Sequence, residues 1–583
     1  MKIKHLFGLA VIAAMTASCS SNEDLGTAGP GTGTNEAGVG YATFTINLPS
    51  VSGTRADAGG AEMNEGTKEE YAVKSATALI FQKYGADEGS NKFVESVTLP
   101  IDGWTDDPED GITTTSKKLV AKLTNVDTKN DYSVLILLNN TKVALPTVGQ
   151  SYNDWNSKNI LSLSATDWAG SDGFYMANAP LKGSAASPAI LVPINKDKIY
   201  ASEAKAKEDA SECAATVFVE RGVAKMSVAD PTPTDPIKVK DKATKAETES
   251  TVKFNNWALD ITNKKTYAVH NIDGLSVEYE KIWDTDPSNR FIGTNSRVYW
   301  GKDPNYNLPG LNTADDVNDT KRKEEFNFID ATSKIDKDFG ETNPVYCLEN
   351  TFNLDNMYQG QTTRVIFKAT YAPKDDGGNS LADDDKTFYT IGNMTTILNT
   401  NKLEAAVNAV ANPVLPTGYT INYTNFMTKE GSHVITLADI KNADGVVLDG
   451  AATYGPSSKT GDEIVADINA KLGLKDGRDE AKVGINTYLN GVTYYIARVK
   501  HFGDALTEWH SGESYSDNNE KYLGRYGMLR NNWYELTVGN VYGPGYPGVP
   551  PVDPTLPDDE NEKYLSVSVK ILSWAKRSQK VDL

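Results

Sequence analysis

The sequence predicts a mainly β protein built as two tandem antiparallel β-sandwich domains, with a few short helices and a further strand at the C-terminus. Three observations point that way. Apolar and polar residues alternate with period two over run after run, the pattern of strands with one buried face. Turn-rich stretches of Gly, Asn, Asp and Pro separate those runs, which favours hairpins over βαβ units. Helical spacing is confined to two short segments. With 583 residues, the chain is long enough for two to four domains of roughly 100–200 residues each.

The elements follow in order. Lys2, Lys4 and His5 precede the apolar run Leu6–Ala17, which ends in Thr16-Ala17-Ser18-Cys19. The run is too short to span a bilayer and suits an export signal, so residues 1–19 read as a lipoprotein signal peptide with Cys19 as the lipidated residue. A polar, Gly-rich tether follows. Tyr41–Leu48 (YATFTINL) sets Phe44, Ile46 and Leu48 against Thr43, Thr45 and Asn47, a strand with one buried face. Further strands are expected at Val73–Phe81, Tyr132–Leu138, Thr216–Val228, Arg364–Tyr371, Val492–Val499 and Trp533–Val538. Asp462–Leu472 carries Ile464, Ile468 and Leu472 on one helical face, with Gly473 to stop it. Lys402–Ala411 carries Leu403, Val407 and Val410 on one face, with Pro413 beyond. Both helices read as packing on a sheet.

Pro231, Pro233 and Pro236 open a charged stretch without aromatics, where the chain is divided into a domain at 56–235 and a second at 236–541. Tyr542–Glu562 then holds six prolines in 21 residues. Proline removes backbone donors and favours polyproline II, so this segment reads as a semi-rigid arm reaching roughly 60 Å at about 3.1 Å per residue. It leads to Leu565–Ile571 (LSVSVKI), with Leu565, Val567, Val569 and Ile571 on one face and Trp574 beyond. Residues 542–583 thus form an arm and a strand that has no evident home in its own domain.

Composition narrows the function. The net charge of −20 disfavours nucleic acid and anionic lipid, both of which need a basic face. Beyond the leader only His270, His433, His501, His510, Cys213 and Cys347 remain, with no metal-site spacing. The acidic runs at Asp375-Asp376 and Asp383-Asp384-Asp385 lack the spacing of a calcium loop and read as a solvated hairpin tip. Asn442-Ala443-Asp444-Gly445 reads as a turn. Cys213 and Cys347 read as two buried free thiols. No metal, cofactor or catalytic constellation is expected, and the protein is not expected to be an enzyme.

The two ends of the chain form a pair. No Lys or Arg lies between His5 and Arg55, so a trypsin-like protease, whose acidic pocket accepts a basic side chain, meets no rival site upstream of the Arg55–Ala56 bond. Gly53, Ala56, Ala58, Gly59 and Gly60 make the surrounding backbone pliable. A cut there removes residues 20–55, the tether and the first strand, along with the lipid anchor. A sheet that loses a strand offers an apolar groove and unpaired ladder groups to another strand. The alternating Leu565–Ile571 of a neighbouring molecule fits that description. Head-to-tail insertion need not close on itself and builds a filament. In an uncut chain, Tyr41–Leu48 should be paired within the first sandwich.

The chain resembles the fimbrillins, the pilins of type V pili, and most of all the major-subunit type of the minor (Mfa-type) fimbriae. The residues that carry the resemblance are the lipobox at Cys19, Arg55 after an alternating strand, Val219-Glu220-Arg221 with Val223-Ala224-Lys225, and Tyr299-Trp300-Gly301-Lys302-Asp303-Pro304. Tyr346-Cys347-Leu348-Glu349-Asn350-Thr351, Arg530-Asn531-Asn532-Trp533-Tyr534 and the ending Ser566–Leu583 complete the set. The resemblance implies transthyretin-like sandwiches, a lipoprotein precursor at the outer membrane, cleavage after Arg55 by an Arg-specific protease, and donor-strand exchange with Leu565–Ile571 as the core of the donor. It implies a shaft subunit of an extracellular fimbria serving cell adhesion and biofilm formation. Its partners would be identical subunits, tip and anchor subunits, the processing protease, and receptors on host or bacterial cells. The alternative reading is a monomeric outer-membrane lipoprotein that binds glycans through exposed aromatics, for which the Cys19 anchor must stay intact.

Overall fold

A computed structural model describes residues 33–556 except 36, 50–62, 65, 103, 105–115, 183–187, 209–212, 276–297, 299, 310, 456–457, 479–481, 503–506, 511–512, 514 and 516–519, together with the backbone of 565–574. The architecture is mainly β, as the alternating runs predict.

The first sheet system comprises β1 (Gly40–Asn47), β3 (Ala76–Gln82), β4 (Lys92–Thr98), β5 (Ser116–Leu123), β6 (Tyr132–Leu138), β7 (Met176–Asn178), β8 (Val192–Ile194), β9 (Ile199–Tyr200) and β10 (Ala215–Arg221). The short β2 (Met63–Asn64) belongs to the second. Strand β10 turns the corner between two layers. Its residues 215–218 lie beside β1, and its residues 219–221 lie beside β7, from which the sheet continues through β6 and β3 to β4. A strand that changes sheets partway is how packed sheets make corners. Between the layers sits one core in which Phe44, Ile46, Leu79, Ile80, Leu135, Leu137, Val217 and Trp155 are buried.

The run read as one strand over Thr216–Val228 is two strands, β10 and β11 (Val223–Val228), broken at Gly222. A Cβ at Gly222 would lie 2.5 Å from the Trp168 ring and 3.0 Å from Tyr175, so only glycine permits this close passage. Across it the chain moves from the first sheet system to the second, upstream of the boundary drawn at residue 235.

The second system is a two-layer sandwich. One layer runs β14–β11–β17–β18–β2, where β14 is Val345–Leu348, β17 Asn532–Val541 and β18 Leu565–Trp574. The other runs β12 (Ile237–Lys240), β13 (Glu247–Asp260), β15 (Arg364–Ala372) and β16 (Val492–Arg498). Met226, Phe254, Trp257, Phe367, Tyr495 and Leu536 fill the space between them. Pairing is mostly antiparallel, but β1 with β10, β11 with β17 and β2 with β18 are parallel.

Four helices matter here: α1 (Lys68–Tyr71), α2 (Glu203–Glu208), α3 (Thr400–Ala411) and α4 (Gly461–Lys471). The last two share a separate core with the strands at Phe388–Ile391 and Ile485–Tyr488. In α3 the buried face is Leu403, Val407 and Ala411, with Val410 only half-buried, while α4 buries Ile464 and Ile468. Thr460 caps α4, and Gly473, at φ +70°, closes it.

The apolar contribution of β1 is large, because each fully buried aromatic or branched aliphatic side chain is worth about 1.5–3 kcal/mol. Phe44→Ala in the uncut chain is expected to destabilise the first sandwich by about 3–5 kcal/mol, measurable as a lowered midpoint in urea.

Candidate functional site

Two strands and the junction between the sandwiches carry the residues of interest. Strand β1 is an interior strand. It pairs antiparallel with β5 along its whole length, from Gly40 opposite Leu123 to Asn47 opposite Ser116. Its other edge takes β9 at Tyr41 and Ala42, then β10 from Phe44 to Asn47. Ala42, Phe44 and Ile46 are fully buried, and Leu48 is nearly so. On the opposite face Thr43 lies under α2, where its hydroxyl donates to the Ala206 carbonyl at 2.9 Å. Cys19, Arg55 and Ala56 lie outside the described residues.

The C-terminal strand has a home, contrary to the expectation from its pattern. It pairs antiparallel with β17 from Ser573 opposite Asn532 to Leu565 opposite Val541, with a register shift near Leu565. The positions Leu565, Val567, Val569, Ile571 and Trp574 all fall within this strand, and its far end meets β2 at Ser573 and Trp574.

Over its described residues, 542–556, the proline-rich segment likewise does not project. Its carbonyls are satisfied one after another by the second sandwich. Tyr495 Oη donates to Gly543 O at 2.7 Å and Tyr488 Oη to Gly545 O at 3.1 Å. Tyr494 and Tyr546 exchange backbone bonds at 2.9 and 2.8 Å. Arg364 Nη2 donates to Pro550 O at 2.7 Å and Nη1 to Pro551 O at 3.3 Å, while its Nε holds Asp260 Oδ2 at 2.7 Å. Polyproline backbone makes no internal hydrogen bonds, so its carbonyls stay available, and buried donors on β15 and β16 take them. Proline content is legible in a sequence; donors arriving from distant strands are not.

At the junction, motifs far apart in sequence meet. Glu70 of α1 is buried, with Oε1 2.7 Å from Lys225 Nζ and accepting the Tyr346 hydroxyl at 2.6 Å. Arg221 Nε donates to the Glu70 carbonyl at 2.7 Å, and Lys225 Nζ stands 3.3 Å over the Trp533 ring. Burial pushes the Glu70 pKa up, but Lys225 and Arg221 outweigh it and hold the carboxyl below its ordinary value. Nearby, His270 Nδ1 lies 2.7 Å from Glu220 Oε1, and Arg530 Nε donates to Glu349 Oε2 at 3.1 Å. Asp303 accepts from the Thr351 and Asn305 amides, both at 2.6 Å, and from Asn263 Nδ2 at 2.8 Å. Burial, with help from Glu349, still pushes its pKa up to about 8. Breaking such buried pairs is costly, about 3–5 kcal/mol when one partner is removed. The cluster is an ionic and hydrogen-bonded seam between the sandwiches.

Residues 486–580 match the family model of the major fimbrial subunit protein type IV, fimbrillin, C-terminal. Over that span the chain is fimbrillin-like. The fimbrillin-like span takes in β16, β17, the proline-rich segment and β18. No curated protein matches the chain. Among solved structures, a candidate cell adhesion protein from Parabacteroides distasonis aligns over 92% of this chain and 99% of its own, at 9% identity and a TM-score of 0.39.

Several other readings have a place in the structure. Asp375 accepts from the Gly377 and Asn379 amides at a hairpin tip, and Asn442 closes a turn with Gly445 at φ +78°. Among the described residues no group of three His, Cys, Asp or Glu is placed to hold a metal ion. Both Cys213 and Cys347 are free thiols; Cys347 is buried, and burial pushes its pKa to about 12. Cys213 is only half-buried, because it precedes β10 where the chain enters the sheet, and its sulfur lies 3.0 Å from Thr216 Oγ1. Glu70 and Asp260 were not singled out by sequence, since neither lies in a distinctive local pattern.

Two outcomes test this geometry. Arg364→Lys keeps a cation beside Asp260 but loses the fork that reaches two carbonyls. With charge-assisted bonds worth about 1.5–3 kcal/mol each, amide exchange in residues 542–556 should rise by roughly tenfold or more. Asp303 has a pKa raised from 3.8 to about 8, so between those values the folded chain holds a proton that the unfolded chain releases. Stability therefore falls as pH rises from about 4 to about 8 and levels off above. Thermal melts across that range should show the slope, and Asp303→Asn should flatten it.

Proposed function

We propose that the chain is a shaft subunit of a surface fimbria, made as a Cys19-anchored precursor and polymerised by strand exchange. The observation that carries this reading is the fimbrillin C-terminal match over residues 486–580. The packing of β1 agrees with it. An interior strand supplying Phe44, Ile46 and Leu48 to the core leaves a long apolar groove and two unpaired edges when it departs.

The sequence puts the separable piece before Ala56 and the donor at Leu565–Ile571. After the cut the remaining chain has 528 residues, from 583 less 55. Its first domain runs from 56 and hands over to the second across Gly222, ahead of the 235/236 boundary the sequence suggests. The second domain runs to 541, and the donor segment is 542–583. Exchange requires β18 to leave β17 and the proline-rich segment to lift from Arg364, Tyr488 and Tyr495. The closed form seen here then corresponds to the subunit before assembly. In the assembled fimbria, identical subunits follow one another, with tip and anchor subunits at the ends. The filament lies outside the outer membrane and serves adhesion to host or bacterial cells and biofilm formation.

The test is limited digestion of delipidated precursor with an Arg-specific protease, followed by N-terminal sequencing and electron microscopy. A new N-terminus at Ala56 with filaments is expected, and Arg55→Ala should abolish both. Protein lacking Leu565–Leu583 should be cut yet stay monomeric; filaments from it would refute the donor assignment. Native protein that resists the cut would favour an anchored glycan binder instead.

A further inference from the structure

We infer that the incoming C-terminal strand of a second copy runs antiparallel to the β1 it replaces, with Val567, Val569, Ile571 and Ser573 in the places of Leu48, Ile46, Phe44 and Ala42. This rests on the strand-exchange reading above and adds to it a direction and a register.

The groove is tapered. The side chains β1 sends into the core are Ala42, Phe44, Ile46 and Leu48, all buried. Closely packed slots take the volume of what fills them, so the slot at Ala42 admits little more than a methyl group and the next three are wide. Beyond Ala42 the groove closes further: a Cβ at Gly40 would come within 2.6 Å of Ile199 Cγ2.

The C-terminal strand also has one small position, at the opposite end along the chain. Its alternate residues read Leu565, Val567, Val569, Ile571 and Ser573, four branched aliphatics followed by one small residue. Run in the direction of β1, with Leu565 opposite Ala42, it forces a leucine into the narrowest slot and puts only a valine in the slot of Phe44. Shifting that register by one residue, to the other face, places Lys570 in the buried slot of Ile46 or of Leu48. Run antiparallel, the strand puts Ser573 in the narrow slot and no oversized side chain in the wide ones. Trp574, where the strand ends, then falls at the place of Tyr41, an aromatic for an aromatic.

The outer face also accommodates this register. Lys570 takes the place of half-buried Thr45, and Ser568 that of half-buried Asn47. The tight position is Thr43 beneath α2, where Leu572 replaces a threonine bonded to Ala206 O. There α2, a helix of 6 residues, must give way, whereas the reverse direction would have to expand the core between two sheets.

Cysteine cross-linking separates the directions. Thr45 stands opposite Lys118 and Asn47 opposite Ser116, and both partners are exposed on β5. Antiparallel insertion brings Lys570 beside Lys118 of the next copy; insertion along β1 brings it beside Ser116. Adjacent strands place Cα atoms within disulfide reach. Full-length Cys213→Ser precursor carrying Lys118→Cys and Lys570→Cys is cut with the Arg-specific protease, checked for filaments by electron microscopy, oxidised, then boiled in SDS without reductant. A covalent ladder is expected from this pair, at least tenfold stronger than from Ser116→Cys with Lys570→Cys. The opposite preference overturns the direction. Filaments with neither cross-link overturn the register while leaving exchange standing. Failure of the cysteine-free-surface parent to form filaments after cleavage at Arg55 removes the exchange reading itself, and this inference with it.

Discussion

The first sandwich depends on a strand that is held from both sides. Backbone amides and carbonyls buried away from water need partners, and β1 supplies them to β5 on one edge and to β9 and β10 on the other. It also fills the core from Ala42 to Leu48. A strand at the rim of a sheet could be trimmed with modest loss; an interior one leaves a fold that is incomplete until something equivalent enters. The same ladder that stabilises the closed chain therefore defines what a replacement must offer: alternation, extended backbone and side chains of the right size in order.

The seam between the sandwiches depends on different physics. Glu70, Lys225, Arg221, Glu349 and Arg530 are charged groups kept from water. This is tolerable because each is ion-paired or, for Arg221, hydrogen-bonded to the Glu70 carbonyl and Asn531 at short range. Such pairs contribute little net stability compared with apolar packing, but they punish misalignment. That is a reason for α1, which follows the first strand and its linker, to be pinned to β11 and β14 by a single carboxylate. The turn at Asn531, with φ +59°, accepts from Arg221 and places Trp533 over Lys225.

Local pattern reached the strands well. The helix ending before Gly473 follows from periodicity and capping, because those signals are written within a few residues. Tyr132–Leu138 follows from its apolar run, although that strand is buried on both faces rather than one. The break at Gly222 escaped because β10 and β11 are both apolar and continuous in pattern; only the approach of Trp168 and Tyr175 divides them. The strand at Leu565–Trp574 was legible as a strand but not as the neighbour of β17, since pairing is a long-range choice that period two does not specify. The motifs at Glu220, Asp303, Glu349 and Arg530 were visible as short marks, while their convergence on one buried seam required the fold.

The polar contacts that grip the proline-rich segment fall largely on main-chain oxygens, those of Gly543, Gly545, Tyr546, Pro550, Pro551 and Leu556. Every residue type carries that oxygen. The polar part of the grip is thus blind to side-chain identity and sensitive to backbone shape and to the donors on the other side, while Tyr546, Val549 and Val552 add apolar packing of their own. Substitutions at its exposed positions can accumulate with little effect on its docking, whereas a side chain at Gly545, where a Cβ would collide with Tyr494 O, or a change at Arg364 is felt at once. Surface sequence here is free to drift while the attachment beneath it stays fixed.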